Sequence, residues 1–251
     1  MSVLDETEAI VLSSKNWGDA DKMVMLFTAK YGLLKTAAFG VRRPRSALAA
    51  PMQLFSYINV RLSSSNGRLY TVRNASLKRR YKKLTEDLEV MAYGALTTDY
   101  LCAFLPEGEP EIYTFKDLLA IFAALEVRNP RVTAIIGLYQ LMEHTGMQLH
   151  FDHCAECGGK IVSDAFFNEN VGGAVCAKCA TKGLMPFNKD LQELVVAMRD
   201  FDWQKDKLTI KKDLFLQAEK LILTYIHNLL GRPLRSFKFI QDLNKADKKN
   251  I

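Results

Sequence analysis

The sequence lacks the features that mark secreted and membrane-spanning proteins. Its N-terminus, MSVLDETEAI, carries acidic residues where a secretory signal has Lys or Arg ahead of an apolar run. No apolar run approaches the roughly 20 residues that a transmembrane helix needs. These absences predict a soluble, cytoplasmic protein, in which stable disulfides are not expected.

The signature motifs of common enzyme classes are also missing. The sequence contains no G-x-x-x-x-G-K-[ST] phosphate loop, no dinucleotide glycine motif, no H-E-x-x-H and no G-x-S-x-G. Its four His residues form no triad that can be recognised in sequence. The sequence therefore predicts a protein without catalytic activity.

Positive charge is present in excess and is concentrated at one end. The chain of 251 residues is 49% hydrophobic, which is enough for a substantial core, and carries a net charge of +6. Residues 1–80 contain 13 Lys and Arg against 5 Asp and Glu, whereas residues 81–150 are net acidic. Such a basic region commonly attracts a polyanion, although the same excess can serve solubility alone.

The basic region has the pattern of a small β-barrel. Short segments rich in β-branched and aromatic residues recur between turn residues, and Asn66-Gly67 is a strong hairpin signal. The predicted strands are 8–14, 22–28, 33–39, 52–62 and 68–77. Five short strands without a long helix favour an OB-fold barrel, although an SH3-like barrel would give nearly the same pattern.

After Lys83 the hydrophobic period changes from about 2 to about 3.6, which predicts helices. Thr85 is the expected cap of the first helix, Asn188 caps a later one, and Gly231 ends the last. The predicted helices are 85–105, 111–125, 131–145, 189–199 and 212–230. We expect them to form one helical bundle domain, interrupted by a cysteine-rich segment.

The cysteine-rich segment contains two Cys-x-x-Cys pairs. Cys154 and Cys157 form the first pair, Cys176 and Cys179 form the second, and 18 residues separate the pairs. This spacing is typical of a zinc ribbon, in which each pair supplies two thiolates to one tetrahedral ion. With sulfur at all four positions the zinc would be structural. A redox dithiol and buried metal-free cysteines are the alternatives.

Two basic clusters are candidates for nucleic-acid contact. The segment FGVRRPRSA places Arg42, Arg43 and Arg45 in a loop after a predicted strand, and the planar guanidinium suits phosphate. The segment LKRRYKK follows the barrel, and it could instead be a solvated linker between domains. Its cations are Lys78, Arg79, Arg80, Lys82 and Lys83.

Aromatic residues on the predicted strands could stack on bases or fill the barrel core. These residues are Phe39, Phe55, Tyr57 and Tyr70. The sequence divides into an OB-fold domain (1–80), a first helical part (81–150), a zinc-ribbon insertion (151–183), a second helical part (184–243) and a basic, disordered tail (244–251). The predicted fold class is a multidomain α+β protein.

The order of these parts resembles the RecO family of bacterial recombination mediators. The resemblance spans residues 8–243 and is carried by GDADKMVMLFTAKYGLLKTAAFGVRRPRS, TGMQLHFDHCAECG, GGAVCAKC and LLGRPLRSFKFI, in that order. The strand from Asp21 to Thr28 leading to Gly32, the loop 40–46 and the segment 231–236 are its most diagnostic pieces.

The resemblance implies a non-catalytic DNA repair protein. Members of this family bind single- and double-stranded DNA, anneal complementary strands, contact the C-terminal tail of the single-strand binding protein SSB, and act with RecR to help load RecA. Such a role would place the protein in the cytoplasm, at the nucleoid. Carried onto this sequence, the loop of Arg42, Arg43 and Arg45 matches the basic loop of the family's barrel.

The family's zinc ligands correspond to the four cysteines at positions 154, 157, 176 and 179. Some members lack these cysteines, which implies that zinc stabilises the domain and takes no part in DNA handling. Two other functions fit the same pattern: a nucleic-acid-modifying enzyme with an OB barrel and a structural zinc ribbon, and an adaptor that binds protein alone.

Overall fold

The computed structural model describes residues 2–64, 69–162, 164–207 and 209–249. The chain forms two compact units. One contains the N-terminal part through Ala134 and the residues from Arg235 onward, and the other is Ile135–Leu234. The first unit therefore combines the predicted barrel with several helices. Among the described residues, no helix has the length and apolar character needed to cross a membrane.

A six-stranded sheet forms the N-terminal part of the first unit. Its strands are β1 (Ser2–Val3), β2 (Thr7–Trp17), β3 (Asp21–Thr28), β4 (Gly32–Ala38), β5 (Tyr57–Ser64) and β6 (Tyr70–Arg79). The strand order is β1-β5-β2-β3-β4-β6, and β5 also pairs with β6, so that β2 to β6 close into a barrel. Only the β4–β6 pairing is parallel. This closed five-stranded barrel confirms the predicted OB-fold.

The barrel interior follows from the alternation of side chains along each strand. Val24 and Leu26 of β3 and Val60 and Leu62 of β5 point inward and are almost fully buried. The strand predicted at 52–62 begins only at Tyr57, because the preceding residues turn. The predicted Asn66-Gly67 hairpin lies outside the described residues.

The turn before β5 also changes the assignment of Phe55, which the sequence placed on a strand. Phe55 has φ = 64° in the left-handed region, which is incompatible with an extended strand. Its ring is 1% exposed and packs edge-on against Phe122, with the ring centroids 5.4 Å apart. Burial of this ring holds the turn in place, and Phe55 is a core residue.

Four helices follow the barrel: α1 (Lys82–Glu86), α2 (Leu88–Phe104), α3 (Ile112–Leu125) and α4 (Pro130–His144). The predicted Thr85 cap is wrong, because the Thr85 hydroxyl donates to the carbonyl oxygen of Lys82 at 2.9 Å. Asp87 caps α2 instead, accepting from the backbone N–H groups of Glu89 and Val90. One unbroken helix from residue 85 therefore becomes two.

Aromatic contacts join α3 to the barrel. Phe115 lies against Phe27 of β3 with ring centroids 5.5 Å apart, and Phe122 contacts Tyr81 at 5.4 Å. All four rings are nearly fully buried. The outer surface of the barrel at this end is therefore covered by α3, and the two share one core.

The second unit contains the latter part of α4, a small sheet and two helices. The elements are β7 (Ala165–Asn168), β8 (Gly173–Cys176), β9 (Met185–Pro186), α5 (Lys189–Arg199) and α6 (Lys212–Leu230), with sheet order β8-β7-β9. Asn188 accepts from the backbone N–H of Leu191 at 3.0 Å, and Gly231 ends α6 at φ = 65°. Both predicted helix ends are therefore confirmed.

The last helix, α7 (Arg235–Lys249), was not predicted. It packs against α2 in the first unit, where the backbone N–H of Ser236 donates to the carboxylate of Asp99 at 2.7 Å. Ile240 of α7 is 6% exposed. The helix continues through Lys249, into the segment for which the sequence predicted a disordered tail.

Candidate nucleic-acid interface and metal centre

The loop of residues 40–46, which we call the arginine loop, is attached to the turn between β2 and β3. The backbone N–H of Gly40 donates to the carboxylate of Asp21 at 2.7 Å, and that of Arg42 donates to the carbonyl oxygen of Ala20 at 2.8 Å. The Arg42 guanidinium adds a bond of 3.1 Å to the carbonyl oxygen of Gly18. Backbone bonds therefore fix the position of this loop at one end of the barrel.

The three arginines of this loop face solvent. Arg42, Arg43 and Arg45 are exposed, and none of them forms an ion pair within the part of the chain that the structure describes. Arg45 has φ = 62°, a left-handed conformation that costs a non-glycine residue about 1 kcal/mol or more. The structure thus holds three cations, not neutralised by carboxylates, on a fixed backbone.

Carboxylates partly neutralise the second basic cluster. Lys78 on β6 pairs with Glu8 and also contacts the Tyr57 hydroxyl at 3.1 Å. The hydrogen bond from the Lys78 ammonium, with its charge, lowers the pKa of Glu8 and in turn raises the pKa of Lys78. A phosphate would have to compete with Glu8 for this lysine.

The other four cations of the second cluster differ in whether a carboxylate lies near them. The Arg79 guanidinium lies 3.1 Å from the Glu126 carboxylate and 4.6 Å from the centre of the Tyr81 ring. Arg80 lies 4.0 Å from a carboxylate oxygen of Glu86. Lys82 and Lys83 are exposed at the start of α1 and have no ion pair among the described residues. The cluster therefore contains three paired and two unpaired cations.

The candidate stacking residues differ in their exposure to solvent. Phe39, immediately after β4, is 51% exposed, whereas Phe55 is in the core. Tyr57 and Tyr70 are half-buried. Phe39 contacts Trp17, which ends β2 and is itself 45% exposed, with ring centroids 6.0 Å apart. Trp17 was not among the stacking residues predicted from the sequence. Strand alternation could have indicated it, because Trp17 lies two residues after the exposed Lys15 and therefore on the outer face of β2.

The four cysteines come from two turns of the second unit. Cys154 and Cys157 lie in a turn closed by bonds of 2.8 Å from the Gly158 N–H to the Cys154 carbonyl oxygen and 2.7 Å from the Cys154 N–H to Gly159. Cys176 ends β8, and the N–H of Cys179 donates to its carbonyl oxygen at 3.0 Å. The predicted ligands are therefore positioned by two tight turns.

Between the two turns the chain forms the hairpin of β7 and β8, spanning residues 165–176. Because β8 ends at Cys176, its pairing with β7 directly positions the third sulfur. The isolated Cys102 lies on α2, far along the chain from this group, and burial raises the pKa of its thiol to about 12.

The sulfur atoms are close enough to bind one ion. All four Sγ atoms lie within 4.8 Å of one another, and those of Cys157 and Cys176 are 4.0 Å apart. A tetrahedral zinc ion with Zn–S bonds of about 2.3 Å requires sulfurs separated by about 3.8 Å. The group therefore fits a four-coordinate metal ion with small adjustments.

The local hydrogen bonds also favour a thiolate. The backbone N–H of Cys176 donates to Cys154 Sγ at 3.3 Å, and with the Cys157 N–H it lowers the pKa of Cys154 to about 6. The Cys179 thiol donates hydrogen bonds to the sulfur atoms of Cys157 and Cys176, which favours its protonated form and raises its pKa to about 12. A divalent cation would reverse that second effect, because coordination removes the thiol proton. The donor set is that of a structural zinc site.

These features define a class of protein: an OB-fold with an exposed basic loop, covered on one side by helices, and a second unit with a four-cysteine centre. Family comparison refines this class. Residues 1–81 match the family model described as "Recombination protein O N terminal", and residues 85–238 match "Recombination protein O C terminal". The chain therefore belongs to the RecO family of DNA repair proteins.

Similar proteins cover nearly the whole chain. It is 28% identical over 237 residues to the DNA repair protein RecO of Alkaliphilus metalliredigens, covering 94% of this chain and 92% of that protein. It is 28% identical over 247 residues to RecO of Pelotomaculum thermopropionicum, covering 97% and 96%. RecO of Desulfitobacterium hafniense is 32% identical over 184 residues, which is 71% of this chain and 66% of that protein.

Proposed function

We propose that this protein is a recombination mediator that binds single- and double-stranded DNA and anneals complementary strands. The observation that carries the proposal is the arginine loop: three exposed cations without carboxylate partners, held by backbone bonds at one end of an OB barrel. Phosphates are the ligands that such a fixed set of guanidinium groups suits best.

Electrostatics gives annealing a mechanism that needs no catalytic residue. Two complementary strands repel each other through their phosphates, and a cationic surface that neutralises them lowers this repulsion. If the contacts are mainly to phosphate, the Watson-Crick edges stay free to pair. No nucleotide hydrolysis is required, and we infer that the protein is not an enzyme.

In our proposal the second basic cluster extends this surface, and its three cations with carboxylate partners contribute less to DNA affinity than the arginines of the loop do. Lys82 and Lys83 are exposed and have no described carboxylate partner. Lys78, Arg79 and Arg80 must first share or release a carboxylate before they contact phosphate. The arginine loop should therefore contribute more of the DNA affinity than these three cations do.

The salt dependence of DNA binding tests this assignment. If about five cations contact a single strand, log affinity falls with log salt concentration at a slope near −3.5, with about 0.7 for each phosphate contact. Replacing Arg42, Arg43 and Arg45 by Ala should make the slope shallower by about 2 and weaken binding of a labelled oligonucleotide. The matched control replaces Lys78, Arg79 and Arg80 by Ala and should change the slope less.

An unchanged affinity and salt slope in the arginine-loop variant would contradict this assignment. A larger effect of the control variant would move the DNA surface to the second cluster. All six side chains lie on the first unit, so a folding defect there could also weaken binding. Thermal unfolding of both variants therefore checks that they are folded.

We propose that the four cysteines bind a structural Zn²⁺. With Cys154, Cys157, Cys176 and Cys179 as ligands, no coordination position is left for water or substrate, so the ion would stabilise its turns. Metal analysis of the purified protein should give one zinc per chain. A variant with Cys157 and Cys179 replaced by Ser should lose the zinc.

We further propose that the protein acts in the cytoplasm, at the nucleoid, with RecR and SSB to promote RecA loading. An SSB tail that is acidic and ends in an apolar side chain could dock beside Arg128 or Arg131, where Val127 adds an exposed apolar surface. A pull-down that is unaffected by deletion of the SSB tail would contradict this docking. This proposal keeps the domain bounds expected from the sequence and assigns DNA binding to residues 1–80.

Annealing of SSB-coated strands separates this function from its alternatives. A mediator should pair complementary strands coated with SSB without added nucleotide. A nucleic-acid-modifying enzyme would instead turn over a cofactor, and an adaptor would bind neither strand. The test is measured with fluorescently labelled strands, with and without SSB.

A further inference from the structure

Two aromatic side chains lie exposed on the barrel beside the arginine loop. Trp17 ends β2 and Phe39 follows β4, so the two rings flank the first residue of β3, Asp21. Their ring centroids are 6.0 Å apart and the ring planes are inclined by 47°. They support each other and leave about half of each side chain open to solvent.

Phe27 is an aromatic residue on the outer face of the barrel that is covered. Phe27 lies further along β3 on the same face as Asp21, and its ring is fully buried against Phe115 of α3. The helices of the first unit thus cover the outer face at Phe27. The Trp17–Phe39 pair remains exposed at the end where the arginine loop begins.

The cations of the arginine loop contact the backbone next to both rings. The Arg42 guanidinium donates to the carbonyl oxygen of Gly18, the residue after Trp17. The Arg43 side chain passes over Gly40, the residue after Phe39, so that a Cβ built on Gly40 would lie 3.5 Å from Cδ of Arg43. An apolar aromatic surface and unpaired cations are therefore adjacent.

A single strand of nucleic acid presents the complementary chemistry, with phosphates alternating along the chain with flat aromatic bases. Base stacking on an exposed ring does not depend on sequence, because every base has an aromatic face. In a duplex these faces are already stacked on neighbouring base pairs, so only unpaired bases can occupy such a surface. An aromatic pair beside cations therefore favours a single strand over a duplex.

We propose that Trp17 and Phe39 form a platform on which unpaired bases of a single strand stack while its phosphates contact the arginine loop. This inference rests on the proposed DNA-binding function and adds a selectivity to it. Stacking uses the faces of the bases and leaves their hydrogen-bonding edges free. The platform can therefore hold a strand in a form that a complementary strand can pair with.

Binding of an oligothymidylate and of an abasic oligonucleotide of the same length and charge tests the proposal. The wild-type protein should bind the oligothymidylate about tenfold more tightly at equal salt concentration, as expected for one stacked base. The variant with Trp17→Ala and Phe39→Ala should bind both probes equally, with the wild-type salt slope and the wild-type affinity for the abasic probe.

Two matched variants serve as controls. Leu77→Ala removes an exposed apolar side chain elsewhere on the barrel and should keep the preference for bases. Trp17→Phe retains an aromatic face and should keep most of the preference for bases. If the double variant does not fold, fluorescence provides a second measurement, because a Trp203→Phe protein has Trp17 as its single tryptophan. Oligothymidylate should quench its emission, and the abasic probe should not.

The outcomes distinguish this inference from the proposed function. Equal binding of the two probes by the wild-type protein would overturn the platform, as would a double variant that keeps its preference for bases or a Trp17 emission that oligothymidylate does not change. The proposed DNA surface would survive these results as long as the arginine-loop variant loses affinity and salt dependence. If the arginine-loop variant instead binds both probes as the wild type does, the proposed surface itself is wrong.

Discussion

At the scale of single residues, the carboxylate partners of the cations decide which of them can bind phosphate. Arg42 is attached to its loop through a neutral carbonyl oxygen, whereas Lys78 and Arg79 are attached through Glu8 and Glu126. A carbonyl leaves the guanidinium charge in place, and a carboxylate cancels it locally. The number of basic residues in a cluster therefore does not by itself determine the electrostatic field at its surface.

Asp21 and Asp19 provide a test of the arginine loop at this scale. Removal of a carboxylate near a phosphate-binding surface should raise DNA affinity, and we expect this for Asp19→Ala, because Asp19 is exposed and has no described hydrogen bond through its side chain. Asp21→Ala should instead lower the affinity several-fold, since the Asp21 carboxylate accepts from the Gly40 N–H and holds the loop.

The measurement is oligonucleotide binding by fluorescence anisotropy at one salt concentration for both variants. The two substitutions change the net charge by the same amount, so a difference in sign between them reports loop position alone. An increase in affinity of equal size in both variants would show that the bond to Gly40 does not organise the loop.

The pair of Glu8 and Lys78 predicts a pH dependence of stability. The Lys78 ammonium lowers the pKa of Glu8 below the usual value of 4.5. A carboxyl with a lowered pKa stabilises the folded state above the pKa of the unfolded chain, and this contribution is lost as the pH falls through the folded pKa. Glu8→Gln should therefore cost less than about 1 kcal/mol at neutral pH, because the pair is partly exposed.

Denaturant unfolding at a series of pH values from neutral to below 4.5 measures this effect. The difference in unfolding free energy between wild type and Glu8→Gln should shrink as the pH falls and vanish in acid. A difference that is independent of pH would mean that Glu8 stabilises the barrel through packing and not through its charge.

At the scale of secondary-structure elements, close packing of the barrel against a loop fixes one glycine. Gly32 begins β4 at φ = 64°, and a Cβ there would lie 1.9 Å from the carbonyl oxygen of Glu109. In the same loop the N–H of Gly108 donates to the carbonyl oxygen of Leu33 at 3.0 Å. The loop before α3 therefore lies directly on β4.

Gly32→Ala should destabilise the protein by more than about 2 kcal/mol, because it adds a steric overlap to the cost of the left-handed conformation. Gly18→Ala is the matched control: Gly18 has φ = 60°, but a Cβ there meets no atom within 4 Å. The control should cost only about 1 kcal/mol. Equal losses in denaturant unfolding would mean that the contact with Glu109 adjusts without cost.

The sequence predicted elements well where local signals agree with the tertiary structure. The alternation in residues 22–28 and the Asn188 and Gly231 helix ends were predicted because the deciding interactions lie within a few residues. The turn at Phe55 was missed because burial of its ring against Phe122, far along the chain, determines it. The same reason applies to α7, whose first turn bonds to Asp99.

The candidate site was predictable in part for the same reason. The four cysteines are recognisable from spacing alone, since each pair acts through one tight turn. The cations of the two clusters look alike in sequence, and only the fold shows that Glu126 pairs with Arg79. Trp17 and Phe39 meet across β3, a contact that requires the register of three strands.

At the scale of the whole molecule, the candidate DNA surface and the candidate metal centre lie in different compact units. The arginine loop, the second basic cluster and the Trp17–Phe39 pair belong to the first unit, and the four cysteines belong to the second. In our account the first unit contacts DNA, and the metal centre stabilises the second. Loss of the metal and loss of the arginines should therefore have different effects.

One comparison tests this central claim most directly: thermal unfolding and oligonucleotide binding of the metal-depleted protein and of the arginine-loop variant with Arg42, Arg43 and Arg45 replaced by Ala. The account predicts that metal depletion lowers the unfolding temperature but leaves affinity and salt slope unchanged well below that temperature. The arginine-loop variant should unfold as the wild type does and lose affinity and salt dependence. An unchanged unfolding temperature with abolished binding after metal depletion would contradict the account.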